Sequence, residues 1–209
     1  MNMAVKDLLA MPQLYHAYQQ LGGFFGARLR AMDDYLSFER GMRILDIGCG
    51  PGHIVSQLPE GLHYTGIDVD RKNIAFAKRN FGRCGSFLLG HFDEALAQEF
   101  KPFDIIMMNG VMHHIADDDL ARTLRNVRTA LTPAGVLFTL DGCYFPGQSR
   151  AAKWLLDNDR GDYVRDAAAY RSLLSASFDS VEVHVRDDLA TWPYTFAIGL
   201  ARNGKASPA

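Results

Sequence analysis

The chain has 209 residues, is 48% hydrophobic and 22% charged, and carries a formal net charge of -2. That is enough apolar material for a full core, and the balance lacks the basic footprint of a general nucleic-acid binder. Cys49, Cys84 and Cys143 form no C-x-x-C pair and are odd in number, so a disulfide framework is not expected. No run approaches 18 apolar residues, and Met1 to Met11 lacks a sustained apolar core. The expectation is a cytoplasmic protein with neither signal peptide nor membrane span.

Residues 1–13 read as loosely structured. Leu14 to Leu36 has a helical pattern broken at Gly22-Gly23, with Phe25, Leu29, Met32 and Leu36 on one face. Its second half reads as a packing helix; Tyr15 to Phe25 reads either as packing or as a lid. Next comes ILDIGCGPGH, residues 44–53. Ile44, Leu45 and Ile47 form a strand, Gly48, Gly50 and Gly52 a turn, and the run from His53 to Leu58 can open a helix. Glycines admit φ > 0 and close ligand approach, and a helix start offers unpaired N–H groups. HYTGIDVD, 63–70, is a second strand ending on Asp68, and Asp70 caps a helix carrying Ile74, Ala77, Lys78 and Phe81 at helical spacing. SFLL, 86–89, is a short third strand, and Asp93 can cap a helix through Phe100.

FDIIMMNGVMHHI, 103–115, begins as a fourth strand. Asp117, Asp118 and Asp119 start a helix where negative charge suits the macrodipole, with Leu120, Leu124, Val127 and Leu131 as its buried stripe. Thr132-Pro133 ends it, and GVLFTL, 135–140, is a fifth strand. DGCYFPGQSR reads as a loop, Arg150 to Leu156 as a helix, and residues 157–166 as a polar, charged stretch. Asp166 caps a helix through Ser177. Strands from Ser180 to Arg186 and Thr195 to Ala201 form an antiparallel hairpin turning near Trp192-Pro193, and Asn203 to Ala209 reads as a frayed tail.

Alternating strands and helices with nearly continuous apolar strands predict an α/β fold: a three-layer, Rossmann-like doubly wound sheet of seven strands, mostly parallel, with a C-terminal antiparallel hairpin. In such a sheet the ligand lies beyond the strands' carboxyl ends. There the glycine turn meets Asp68, an acid able to accept from a ribose diol. His53 occupies the third glycine position of a dinucleotide fingerprint, and the G-K-[ST] of a P-loop is absent. A nucleoside ligand without phosphates fits better.

ILDIGCGPGH followed by GIDVD resembles the first two motifs of class I S-adenosylmethionine-dependent methyltransferases. FDIIMMNGVMHHI and LTPAGVLFTLD resemble their fourth- and fifth-strand motifs, in order and at family spacing. The segment from PGQS through DRGDYVRD, residues 146–166, also looks like a bacterial subgroup of unassigned substrate. The resemblance implies one methyltransferase domain over 1–209, with an N-terminal helical cap over 1–40 and an insertion over the active site at 142–166. It implies S-adenosyl-L-methionine as cofactor. Asp46, Gly48, Cys49 and Gly50 would lie against its methionine part, Asp68 on the ribose, Val69 on the adenine, and Asn109 and Gly110 beside the sulfonium. Where the family commonly places an acid after the third strand, this chain has His91, so His91 or Asp93 would meet the adenine amino group and Phe92 could stack on the ring.

Methyl transfer from a sulfonium is an in-line displacement that needs a base only when the acceptor must lose a proton. His113 and His114 are the candidates for that base, against structural packing for one and capping of the Asp117 helix for the other. No metal is expected, because adjacent histidines diverge and the acidic run is explained by the macrodipole. Cys49 and Cys143 read as small buried residues. For the acceptor the candidates are Tyr15, Tyr144, Arg160 and Tyr163, with Phe145, Trp154, Arg150 and Arg165 beside them; the competing reading pairs the arginines with Asp157, Asp159 and Asp162 at the surface. The function expected is methyl transfer to oxygen, nitrogen or carbon of a small molecule, with no nucleic-acid partner. The alternatives are an RNA or protein methyltransferase, or a non-catalytic protein that only binds S-adenosylmethionine.

Overall fold

A computed structural model describes residues 22–204. Tyr15, most of the expected N-terminal cap and the last five residues lie outside the described residues. The chain runs α1 (Phe24–Tyr35), β1 (Arg43–Ile47), a 3-10 turn (His53–Gln57), β2 (His63–Asp68), α2 (Arg71–Phe81), β3 (Ser86–Leu89), α3 (Glu94–Glu99) and β4 (Phe103–Asn109). A second 3-10 turn (Met112–His114) leads to α4 (Asp117–Ala130), β5 (Leu131–Tyr144), α5 (Arg150–Asp157), β6 (Arg165–Asp166), α6 (Ala167–Ser175), β7 (Ser180–Arg186) and β8 (Phe196–Arg202).

The strands order as β3-β2-β1-β4-β5-β8-β7, and β6 pairs with β5 off that path. β1 to β5 are parallel, and β8 runs antiparallel to both β5 and β7. The chain winds outward from β1 through β2 to β3 and then returns to β4 on β1's other side. The crevice between the carboxyl ends of β1 and β4 is therefore the switch point where ligands bind in such sheets.

Period-two alternation divides the strand side chains between the sheet's faces. Ile44 meets Phe24, Ala27 and Ala31 of α1 and Ile74 and Ala77 of α2 in one core; Leu45 and Ile47 meet Leu120, Leu124 and Val127 of α4 and Leu174 of α6 in the other. The expected caps form. Asp70 accepts from the Lys72 N–H, Asp93 from Leu96 and Asp166 from Ala169, each meeting a helix-start donor that has no partner within the helix.

Several local expectations change. α1 buries Phe24, Ala27, Ala31 and Met32, so of the expected Phe25–Leu29–Met32–Leu36 face only Met32 is fully buried, while Phe25 and Leu36 pack partly exposed against the same core. The run after the glycine turn makes only the short 3-10 turn. β5 starts earlier, at Leu131, and Thr132-Pro133 falls in a register shift opposite Phe103 and Ile105, where a residue without an N–H is tolerated. It also continues through Gly142, Cys143 and Tyr144, because Gly142 still pairs with Phe196, and Cys143 and Tyr144 pair with Arg165 and Asp166. The main path of the sheet has the seven strands expected, and the two-residue β6 adds a short pairing to β5 beside it. The tail is partly fixed, with Asn203 donating to the Arg128 carbonyl at 2.9 Å and the Gly204 N–H to Asp179 at 3.0 Å.

Candidate active site

The glycine turn is tied to β2. The N–H groups of Gly48 and Cys49 both donate to the Ile67 carbonyl, at 2.8 and 3.1 Å. Gly48 has φ +73°, and a Cβ there would stand 2.5 Å from Cγ2 of Val111, so only glycine lets β1 turn beneath the β4 loop. At Gly50 a Cβ would meet nothing within 4 Å, so this side of the turn opens into the crevice. The Gly50 N–H donates to Asp68 Oδ2 at 2.8 Å, and the Asp70 N–H to Oδ1 at 2.7 Å. Oδ1 also faces the Asn73 amide, which donates to it at 3.4 Å, so these donors fix the carboxylate at the strand end while Oδ2 keeps acceptor capacity for a ribose hydroxyl.

Three adjacent strands carry buried polar atoms that no group among the described residues satisfies. They are Oδ1 of Asp46 on β1, both amide atoms of Asn109 on β4, and Oδ2 of Asp141 on β5. Buried polar groups are nearly always paired, so three orphans side by side at strand ends mark a cradle completed by a polar ligand. Asp46 is 1% exposed, and its other oxygen accepts from the Tyr64 hydroxyl at 2.7 Å. Burial pushes its pKa up to about 7; the Tyr64 hydrogen bond and the Arg28 charge pull it down, and Asp68 pushes it up.

Farther out, Val69 is 60% exposed beyond the end of β2, an apolar surface open to an adenine. His91 and Asp93 are both exposed, with Asp93 Oδ1 already engaged as the cap of α3. Phe92 is 6% exposed and packs in the core with Ile67 and Ala97. Cys49 is buried beside the turn and its thiol is held far above the ordinary range, first by burial; burial likewise raises Cys143 to about 12. Neither is a thiolate at neutral pH.

His113 lies across the crevice, on the loop after β4. Its Nδ1 stands 2.7 Å from Oδ1 of Asp141, which also accepts the His113 backbone N–H at 3.2 Å. That partner assigns the proton to Nδ1 and leaves Nε2 as the basic nitrogen, 3.4 Å from Oδ1 of Asp159. Burial opposes charging of His113, but the Asp141 hydrogen bond and the Asp141 and Asp159 charges outweigh it, so its pKa stands above the ordinary imidazole value despite an opposing Arg28. His113, Asp141, Asp159, Arg28, Gly110 and Tyr194 share the lining of one cavity. His114 is at the surface with its ring 4.2 Å from that of His113 and does not cap α4, whose N-cap is Ala116.

The 142–166 segment reaches this loop with a fixed grip. Arg165 is buried: Nη1 donates to the Met112 and Tyr163 carbonyls at 2.8 and 2.9 Å, and Nη2 to the Ile115 carbonyl at 2.7 Å and Asp117 at 2.5 Å. It is therefore not free to pair with an anionic acceptor, nor does it join the surface aspartates. Asp159 turns inward, accepting from the Tyr194 hydroxyl at 2.7 Å and the Gly161 N–H at 3.0 Å. A Cβ at Gly161 would stand 2.0 Å from Cδ2 of His113 and 2.6 Å from its carbonyl oxygen. Among the acceptor candidates, Tyr144 donates to Asp157, which also pairs with Lys153, while Arg160, Tyr163, Phe145 and Trp154 are exposed. The sequence pattern does not mark Arg28, Tyr64, Asp159 or Tyr194 as site residues, and it marks Asp141 only as the end of its strand motif. Asp141 could have been found as a third acid closing an apolar strand, like Asp46 and Asp68. Asp159 is one of several aspartates in a charged stretch and gave no such signal.

Residues 45–137 match a family model described as a methyltransferase domain. Over that match the chain is similar to the class I S-adenosylmethionine-dependent methyltransferases. A ubiquinone biosynthesis O-methyltransferase of Chelativorans sp. (strain BNC1) is 29% identical over 177 residues, 78% of this chain and 68% of that protein. The phosphoethanolamine N-methyltransferase 1 of Triticum aestivum is 29% identical over 177 residues, 82% of this chain and 34% of that protein. Other ubiquinone biosynthesis O-methyltransferases are covered over less than half their length, for example 35% in Maricaulis maris. Among solved structures, the plantazolicin methyltransferase BamL superposes with a TM-score of 0.69 at 13% identity over 96% of this chain and 94% of that one. A TehB-like methyltransferase from Corynebacterium glutamicum does so with a TM-score of 0.60 at 21% identity over 95% and 98%. At these identities the two structures establish the fold. The family's cofactor, S-adenosylmethionine, suits the residues present. The orphaned acceptor of Asp46 suits its ammonium, Asn109 suits polar groups of its amino-acid end, and Asp68 suits its ribose diol.

Proposed function

We propose that this methyltransferase transfers a methyl group to a hydroxyl oxygen of a small molecule, with His113 as general base. The single observation that carries this reading is the Asp141–His113 pair. A buried carboxylate orients an imidazole so that its basic Nε2 borders the cavity beside the cofactor crevice. S-adenosylmethionine supplies an already activated methyl on a sulfonium. With that methyl delivered to the acceptor oxygen, His113 would accept the hydroxyl proton at Nε2, and the Asp141 carboxylate would stabilise the imidazolium. Asp68 and Asp46 hold the two ends of the cofactor, and the walls of the insertion exclude water.

In this reading, residues 142–166 roof the acceptor side of a single domain, and Tyr144, Arg160 and Tyr163 border the acceptor's entry. No nucleic acid is involved. The similarity to O-methyltransferases supports oxygen as the acceptor atom, and the Asp141–His113 geometry favours it because an alcohol or phenol must lose a proton. The test is incubation with S-adenosylmethionine and a panel of phenols, catechols and primary amines, read by mass for gain of one methyl. A hydroxylated product whose formation depends on His113 supports the reading. Methylation only of amines at an undiminished rate in His113→Gln, or of nothing while the cofactor binds, overturns it.

A further inference from the structure

Tyr64 lies on β2 with its side chain in the core, and nothing in its own stretch of sequence marks it as functional. Its hydroxyl reaches across to β1 and donates to Oδ2 of Asp46 at 2.7 Å, while Oδ1 of the same carboxylate has no partner among the described residues. A carboxylate can only accept, so this oxygen needs a donor that none of the described residues supplies. The Tyr64 ring is held in turn against Phe87, with centroids 5.8 Å apart, so the hydroxyl has one place to point. We infer that Tyr64 is a positioning residue for cofactor binding: its hydroxyl anchors one oxygen of Asp46 and presents the other to the ammonium of the cofactor's amino-acid end. This rests on the function proposed above.

The groups facing Asp46 are Tyr64 on β2, Cys49 in the glycine turn, Asp68 at the end of β2 and Arg28 on α1. The Cys49 thiol and the Tyr64 phenol are both held above their ordinary pKa values, burial being the first cause in each, so at neutral pH they carry no charge. Asp68 opposes ionisation of Asp46, and Arg28 and the Tyr64 hydrogen bond favour it. Without the phenol hydroxyl, Asp46 would hold its proton to higher pH and present no charge to an ammonium.

The test compares two ligands in calorimetric titrations of wild type and Tyr64→Phe. S-adenosylhomocysteine carries the amino-acid end; 5′-deoxy-5′-methylthioadenosine is the same nucleoside thioether without it. The variant should bind S-adenosylhomocysteine about tenfold more weakly at neutral pH, the scale of one hydrogen bond to a charged group. It should bind methylthioadenosine as wild type does, which also shows that the fold is intact. The rise of S-adenosylhomocysteine affinity with pH should move to higher pH in the variant. Equal losses for both ligands, no loss for either, or an unmoved pH profile overturns the role of Tyr64 alone. A wild type that binds neither ligand overturns the proposed function and this inference with it.

Discussion

The two sides of the crevice are built differently. On the β1–β2 side the polar contacts are short-range in sequence and made largely by backbone. Gly48 and Cys49 donate to Ile67, and Gly50 and Asp70 donate to Asp68, each pair lying no more than 19 residues apart along the chain. On the β4–β5 side the contacts are side-chain and long-range. His113 meets Asp141 28 residues on, Arg165 reaches Asp117 across 48, and Tyr194 reaches Asp159 across 35. Backbone donors can hold one fixed ligand whatever the side chains, whereas long-range side-chain contacts can be exchanged to suit different acceptors. That asymmetry matches a family in which the cofactor is common and the acceptor varies.

The comparison breaks most visibly at His113. His113→Gln should lower turnover by about 100-fold to 1000-fold, the usual worth of a positioned general base, and leave cofactor affinity unchanged. Steady-state kinetics and calorimetry check both halves. Because His113 is held above the ordinary imidazole pKa, and only its neutral form accepts a proton, turnover in wild type should rise with pH through a midpoint above about 6.5. Asp141→Asn removes the group that raises it, so the midpoint should fall while the plateau also drops. An unchanged profile would remove His113 from the chemistry.

The next largest effect is expected at the grip beneath the loop. Arg165→Met leaves the Met112, Ile115 and Tyr163 carbonyls without their shared donor and should destabilise the fold by about 3 kcal/mol in urea unfolding. Gly161→Ala forces a methyl into His113, so it should lower both stability and turnover. Were either variant as stable and active as wild type, the insertion would be a loose lid and not a fixed wall.

On the opposite side, Asp68→Ala should weaken S-adenosylhomocysteine binding by about 1.5–3 kcal/mol, measured by calorimetry. Since Asp68 also holds the Gly50 and Asp70 N–H groups, some stability should be lost with it. Tyr163→Ala should have the smallest effect. At 43% exposed it should change stability by less than about 0.5 kcal/mol and act on the Michaelis constant of the acceptor alone, as initial-rate kinetics would show.

The same asymmetry explains what the sequence made legible. Gly48, Gly50 and Asp68 stand in one short stretch whose strand–turn–strand pattern dictates their neighbours, so sheet, turn and cradle could be read directly. Asp70, Asp93 and Asp166 announced their helices because a cap acts within three residues. Arg165 and Asp159 could not be read that way. Their partners are set by how α5 and β6 fold back over the loop after β4, and a charged stretch has the same composition whether its charges face water or the site. The extension of β5 was hidden for a related reason: Gly142 looks like a turn residue, and only pairing with Phe196 keeps it in the strand.

The division of labour between the two sides is tested most directly by one pair of S-adenosylhomocysteine titrations. Asp68→Ala should bind about tenfold to 100-fold more weakly than wild type, and His113→Gln should bind as wild type does. If both variants lose affinity together, or if only His113→Gln does, the cofactor does not rest on the β1–β2 cradle and the account is wrong.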